Sequence, residues 1–196
     1  MRDPMSKKLA LCAVTAALTC VLAPVSVIVT AAVPVTLATF AVMLSGTLLG
    51  GGYGAVSQAV YLLIGIAGLP VCAGYTPALP RLVGPTGGYL IGYIPLSFLC
   101  GALYTAWGRN ACGVKKYAAL TGGMIVGTAV LYALGTAWYC LYSGTGVIAA
   151  LSVCVVPFLI GDGIKIAVVA VLTPQLEKAL DKLPEKAILK HGHDEK

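Results

Sequence analysis

Charged side chains are scarce in this sequence, and two of them stand apart from the rest. Between Asp3 and Glu177 the only acidic residue is Asp162, and between Lys116 and Lys178 the only basic one is Lys165. They lie three apart in the apolar run Pro157-Phe158-Leu159-Ile160-Gly161-Asp162-Gly163-Ile164-Lys165-Ile166. On a helix that spacing puts both on one face, about 4.5 Å apart along the axis. A charge in apolar surroundings is costly unless it is paired or turned toward a polar guest, so two readings are open. One is an ion pair that locks two helices together. The other is a polar anchor inside an apolar pocket. A carboxylate accepts hydrogen bonds from N–H donors and an ammonium donates them. Together they suit a small amphipathic solute with an acid group and an amide or urea-like group.

Three further groups of residues are candidates for the same pocket. Gly84-Pro85-Thr86-Gly87-Gly88-Tyr89 combines glycines that expose backbone amides with two hydroxyls, on Thr86 and Tyr89. It is no phosphate loop, since neither Lys-Ser nor Lys-Thr follows it; the plain alternative is a turn leading into a helix. Trp138 and Tyr139 read as an apolar wall at the level of Asp162, or as members of an interfacial aromatic belt with Tyr142. Gln58 and Tyr61 are polar groups one turn apart in an apolar run. The seven cysteines form no C-x-x-C pair and most sit in apolar stretches, so they read as small packing residues with no metal or disulfide role. No Walker A motif and no Ser-His-Asp set is present, and both histidines, His191 and His193, are in the tail. The chain is therefore read as no enzyme, without cofactor or metal, and any active uptake needs an energy source outside it.

The elements that must position these residues follow from composition. Of 196 residues 59% are hydrophobic and 10% charged, with a mean hydropathy of +0.92, whereas a soluble domain is about one quarter charged. Six apolar stretches, roughly 9–29, 37–50, 53–69, 86–107, 117–140 and 157–173, predict an all-α integral membrane protein of six transmembrane helices. Lys7 and Lys8 ahead of the first stretch are compatible with a signal peptide, but a run of this length reads better as a retained span. Gly50-Gly51-Gly52-Tyr53-Gly54 reads as a tight turn between the second and third helices. Pro24 and Pro95 read as kinks. Between the fifth and sixth helices, 141–156 reads as a short interfacial helix, with Pro157 in the first turn of the sixth. With six spans, eleven Lys and Arg (Arg2, Lys7, Lys8, Arg109, Lys115, Lys116, Lys178, Lys182, Lys186, Lys190 and Lys196) share one side with both termini, against Arg81 on the other. The positive-inside rule then puts both termini in the cytoplasm. This distribution explains the net charge of +6 by topology and a lipid bilayer, with no nucleic acid involved. Residues 1–176 form the six-helix substrate-binding domain and 177–196 a cytoplasmic tail. In the first span Ala13 and Ala17 lie in an Ala-rich stretch, where small residues four apart allow close helix approach, within the bundle or onto another membrane subunit.

Four blocks in order, Val33-Pro34-Val35-Thr36-Leu37, Gly65-Ile66-Ala67-Gly68-Leu69-Pro70-Val71, Gly84-Pro85-Thr86-Gly87-Gly88-Tyr89-Leu90-Ile91-Gly92-Tyr93 and Pro157-Phe158 with Gly161-Asp162 and Lys165, resemble the BioY family. Its members are the biotin-specific S components of energy-coupling factor (ECF) transporters of the bacterial cytoplasmic membrane. The resemblance covers residues 7 to about 175. It implies a biotin site near the outer face, closed by the loop after span three, with Asp162 and Lys165 at biotin's polar ends. It also implies that Ala13 and Ala17 dock onto a transmembrane coupling subunit, with two ATPase subunits supplying energy. The chain departs from the family at Ala38 and Cys72, which bears on the lid contacts. Two other readings are kept: an S component for a different small vitamin, and a self-sufficient secondary carrier for a small carboxylic acid.

Overall fold

A computed structural model describes residues 5–27 and 35–182. Val33 and Pro34 of the first block, Arg2, and the tail beyond Lys182 with its two histidines lie outside the described residues. Eight helices are described: α1 (Met5–Leu22), α2 (Ala38–Leu49), α3 (Gly51–Ile66), α4 (Ala78–Val83), α5 (Gly87–Trp107), α6 (Val114–Ser143), α7 (Val147–Cys154) and α8 (Val156–Asp181). A two-residue antiparallel pair, β1 (Ser26–Val27) with β2 (Val35–Thr36), ties the chain leaving α1 to the start of α2. Six of these helices coincide with the six apolar stretches. α1, α5, α6 and α8 are long and apolar enough to cross a membrane, while α2 and α3 are apolar at 12 and 16 residues. Their outer faces carry exposed aliphatic residues such as Val21, Ile125, Ile160, Ile164 and Val171, as a lipid-facing surface requires.

Local chemistry explains several boundaries and corrects others. α1 stops at Leu22, so Pro24 lies past its end and does not kink it; a proline cannot continue the helix it follows. Pro95 does lie inside α5. The glycine-rich turn narrows to Gly50 alone, at φ 80, and Gly51–Gly54 already belong to α3. Positive φ costs a glycine nothing, and one such residue suffices to reverse the chain. α7 is the short helix predicted between the fifth and sixth spans, and Pro157 sits in the first turn of α8. The segment 70–85, read as an external loop, holds the helix α4.

α2 and α5 form the middle of the bundle. α2 touches α1, α3, α5 and α8, and α5 touches α2, α3, α4 and α6, while α7 and α8 lie against α6. The seam between α2, α3 and α5 is built from missing side chains. A Cβ at Gly101 would strike the backbone of Gly46, Gly50 and Gly51, and one at Gly46 would strike the Ser97 carbonyl. Without water to drive helices together in a bilayer, close backbone approach of this kind supplies the van der Waals contact that holds them. A polar seam runs beside it: Gln58 Nε2 donates to Ser45 Oγ at 2.9 Å and to Thr19 Oγ1 at 3.4 Å. The hydroxyls of Ser45 and Ser97 (2.9 Å), and of Thr15 and Ser57 (2.8 Å), bond across helices. Ala16 on α1 is buried among these contacts, whereas Ala10, Ala13 and Ala17 are exposed on its opposite face.

Gly101→Ala is expected to destabilise the bundle by about 1–3 kcal/mol, since its methyl meets backbone that cannot rotate away. Gly52→Ala, with open space at its Cβ, is expected to cause no loss. Thermal unfolding of the two variants in detergent checks the contrast.

Candidate ligand-binding site

α8 carries Asp162 and Lys165 one turn apart, facing α2, and both are almost fully buried at 3% and 8% exposure. Lys165 Nζ uses all three of its protons: to the Thr36 carbonyl at 2.7 Å, to Thr39 Oγ1 at 2.9 Å and to Asp162 Oδ1 at 2.9 Å. Asp162 Oδ1 accepts a further bond from Thr39 Oγ1 at 3.1 Å, and Oδ2 accepts one from the Tyr132 hydroxyl at 2.5 Å. The pair therefore ties α8 to the start of α2 and to the middle of α6. A buried pair persists in low dielectric only when it is well hydrogen-bonded, and here all three ammonium protons and both carboxylate oxygens have partners.

The pair is also not sealed. It lines a cavity of about 50 Å³. Tyr61, Tyr89, Tyr93, Tyr132 and Phe158 line it too. The hydroxyl of Tyr61 donates to the Val71 carbonyl at 3.2 Å and that of Tyr89 to the Cys154 carbonyl at 2.8 Å. With these hydroxyls engaged, the rings offer the cavity chiefly aromatic carbon. The Tyr89 ring stacks on Phe158 with centroids 6.5 Å apart. The connection from α3 to α5 completes the wall with Cys72, Ala73, Arg81 and Thr86. Arg81 braces this segment, donating from Nε to Thr76 Oγ1 and from Nη2 to the Ala73 carbonyl, both at 3.0 Å. Two of its five N–H groups are thus engaged, and no carboxylate among the described residues pairs with it. A guanidinium in that state matches a carboxylate bidentately.

The candidate residues divide by position. Asp162, Lys165, Tyr61, Thr86 and Tyr89 line the cavity. Gln58 does not, although it is one turn from Tyr61; it is fully buried in the α1–α2–α3 polar seam. Gly84, Gly87 and Trp138 come together at a separate seam. The indole N–H donates to the Gly84 carbonyl at 2.9 Å, and the ring fills a notch where a Cβ on Gly87 would stand 2.8 Å from it. A buried indole needs an acceptor, and this carbonyl supplies it. Tyr139 sits two turns beyond Tyr132 on the same face of α6, about 10 Å farther along, which carries it past the cavity. Among the polar lining residues, Thr39, Tyr93, Tyr132 and Arg81 were not proposed as site residues from the sequence. Arg81 had a visible signal as the sole cation on its side of the charge map. For Thr39, Tyr93 and Tyr132 hydropathy and charge gave none.

Comparison with known proteins identifies the family and the fold. The model of the BioY family matches residues 1–182. A biotin transporter BioY of Thermotoga maritima is 38% identical over 146 residues, 74% of this chain and 82% of that protein. A probable biotin transporter BioY of Pyrococcus horikoshii is 34% identical over 172 residues, 88% of this chain and 97% of that one. A crystal structure of the S-component for biotin from an ECF-type ABC transporter superposes with a TM-score of 0.77 at 26% identity. It covers 91% of this chain and 95% of its own.

Removing one member of the buried pair strands the other. Asp162→Asn and Lys165→Met are each expected to lower stability by about 3–5 kcal/mol, and the double variant by less than the sum. Thermal unfolding of all four proteins in one detergent reads the coupling directly.

Proposed function

Since the chain belongs to the BioY family, we propose that it captures biotin as the S component of an ECF-type importer, with the Asp162–Lys165 pair as the polar end of its site. The observation that carries this reading is a hydrogen-bonded charge pair opening onto an aromatic-lined cavity, whose wall holds a guanidinium that pairs with no carboxylate among the described residues. Biotin carries matching groups. Its urea offers two N–H donors and a carbonyl acceptor, its fused rings are apolar, and its side chain ends in a carboxylate. Asp162 accepts from the urea N–H, Lys165 donates to the urea carbonyl in exchange for one of its present acceptors, and Arg81 receives the carboxylate. Tyr61, Tyr89, Tyr93 and Phe158 enclose the rings. Thr86 positions the segment that closes the site, since its hydroxyl donates to the Arg81 carbonyl at 3.3 Å.

The wider assignment follows from charge and exposure. All six apolar helices cross the bacterial cytoplasmic membrane, with both termini and the α5–α6 connection in the cytoplasm, because the Lys and Arg collect there. The shortness of α2 and α3 is accommodated by their position among longer helices. The exposed Ala13 and Ala17 face of α1 docks onto a transmembrane coupling subunit, and two ATPase subunits supply the energy. The chain itself is a binding subunit and catalyses no reaction.

Tritiated biotin binding to the purified protein tests the assignment. Asp162→Asn and Lys165→Ala are each expected to weaken binding by roughly 30-fold or more, as truncation of one partner of a buried charge pair does. Arg81→Ala is expected to cost about tenfold and to shrink the preference for biotin over its carboxamide. Undiminished binding in both the Asp162 and Lys165 variants would overturn the site, and displacement by another vitamin as effective as biotin would move the substrate.

A further inference from the structure

At the far end of the bundle from this cavity a second recess collects charge. Along α8, Glu177 lies about 22 Å past Asp162, and along α6, Lys116 lies about 24 Å before Tyr132. There the cavity measures about 290 Å³. It draws on α1, the end of α2, the α5–α6 connection and the end of α8. Its charged lining is Lys7, Arg109, Lys116 and Lys178 against Glu177 and Asp181, an excess of two positive charges (four minus two).

The charges are unequally engaged. Lys116 Nζ pairs with Glu177 at 2.7 Å, and the same carboxylate accepts from the Tyr104 hydroxyl at 2.9 Å. Lys7 Nζ donates to the Leu180 carbonyl at 3.0 Å. Arg109 and Lys178, in contrast, make no hydrogen bond or ion pair with the described residues. Asn110 adds an amide beside them, and Leu11 and Leu48 give the recess an apolar side. Trp107 at the end of α5 and Tyr117 at the start of α6 are exposed at this level, where interfacial aromatic residues meet lipid headgroups.

We infer that this recess is a binding site for an anionic phospholipid, whose phosphate is held by Arg109 and Lys178 and whose first acyl carbons rest against the leucine side. A phosphodiester matches both cations, the guanidinium by its fork and the ammonium as a point charge. It also relieves the excess positive charge. Basic recesses between membrane helices at headgroup depth recognise acidic lipids on this principle. A soluble anion would leave the leucines and the flanking aromatic rings without a role, which favours a lipid. The site is separate from the biotin cavity, and nothing in it depends on which solute that cavity takes.

Full-length protein in detergent is titrated with dioleoyl phosphatidylglycerol or dioleoyl phosphatidylcholine, and bound lipid is counted by native mass spectrometry. The intact protein is expected to retain one phosphatidylglycerol under conditions that strip phosphatidylcholine. Arg109→Gln with Lys178→Gln is expected to lose roughly 25-fold in affinity, about fivefold per basic side chain near an anionic surface, while tritiated biotin binding is unchanged. The loss of biotin binding would mark a misfolded variant. In that event retention by the unmodified protein decides: a steep fall with rising ionic strength supports the site, and insensitivity to salt overturns it. Equal retention of the two lipids overturns the proposal. So does displacement of phosphatidylglycerol by equimolar inorganic phosphate or by a glutamate-rich peptide, which would assign the recess to a soluble anion or to an acidic protein segment.

Discussion

A carboxylate and an ammonium in an apolar bundle are costly unless both are held by hydrogen-bonding partners, and that requirement organises this molecule. Thr36 and Thr39 must present a carbonyl and a hydroxyl to α8, so the start of α2 is fixed against it. Tyr132 must reach Asp162, so the middle of α6 is fixed as well. The β1–β2 pair holds the chain just before α2 and thereby supports the Thr36 carbonyl that Lys165 uses. The site is a by-product of this closure: three helices meet at one ion pair, and aromatic residues from α3, α5, α6 and α8 border the space that is left.

The opposite side of the bundle solves a different problem. α2, α3 and α5 have no strong charges to join them, and they approach through glycines until backbone meets backbone. Gln58, Ser45, Ser97, Ser57 and Thr15 add hydrogen bonds between helices beyond the reach of water, although the Gln58 amide oxygen is left without a partner. Such packing has little slack. The bundle thus combines a tightly interlocked half with a half built around an open recess, and the α3–α5 connection bridges the two. The second recess repeats the contrast at the other end, since Lys116, Glu177 and Tyr104 form a closed set beside two cations left open.

Hydropathy and charge made the helices and the Asp162–Lys165 pair legible, because both are one-dimensional signals: an apolar run, and the rare breaks in it. Tyr61 was found as one of two polar groups a turn apart in an apolar run, and Thr86 and Tyr89 through their glycine-rich block. Thr39 and Tyr132 were not, since a single hydroxyl in a span more often bonds its own helix, as Thr128 and Thr121 do here. Only the meeting of three helices gives theirs a distant target. Gln58 misled for the converse reason. Its polarity correctly marked an interior position, but which interior, a packed seam or a cavity, depends on the rotation of α3 against α2. The glycines of Gly84-Pro85-Thr86-Gly87-Gly88 suggested exposed amides, whereas Gly87 and Gly88 instead make room for the Trp138 ring.

That ring has a practical meaning. The chain contains two tryptophans, and they stand at opposite ends of the bundle: Trp107 is 72% exposed beyond the far recess, and Trp138 is wedged where α6 meets the segment bordering the Asp162–Lys165 cavity. Replacing Trp107 with phenylalanine would leave a single tryptophan, hydrogen-bonded across that seam. Its emission would then report the packing of α6 against the segment beside the cavity, with no dye or label to disturb it.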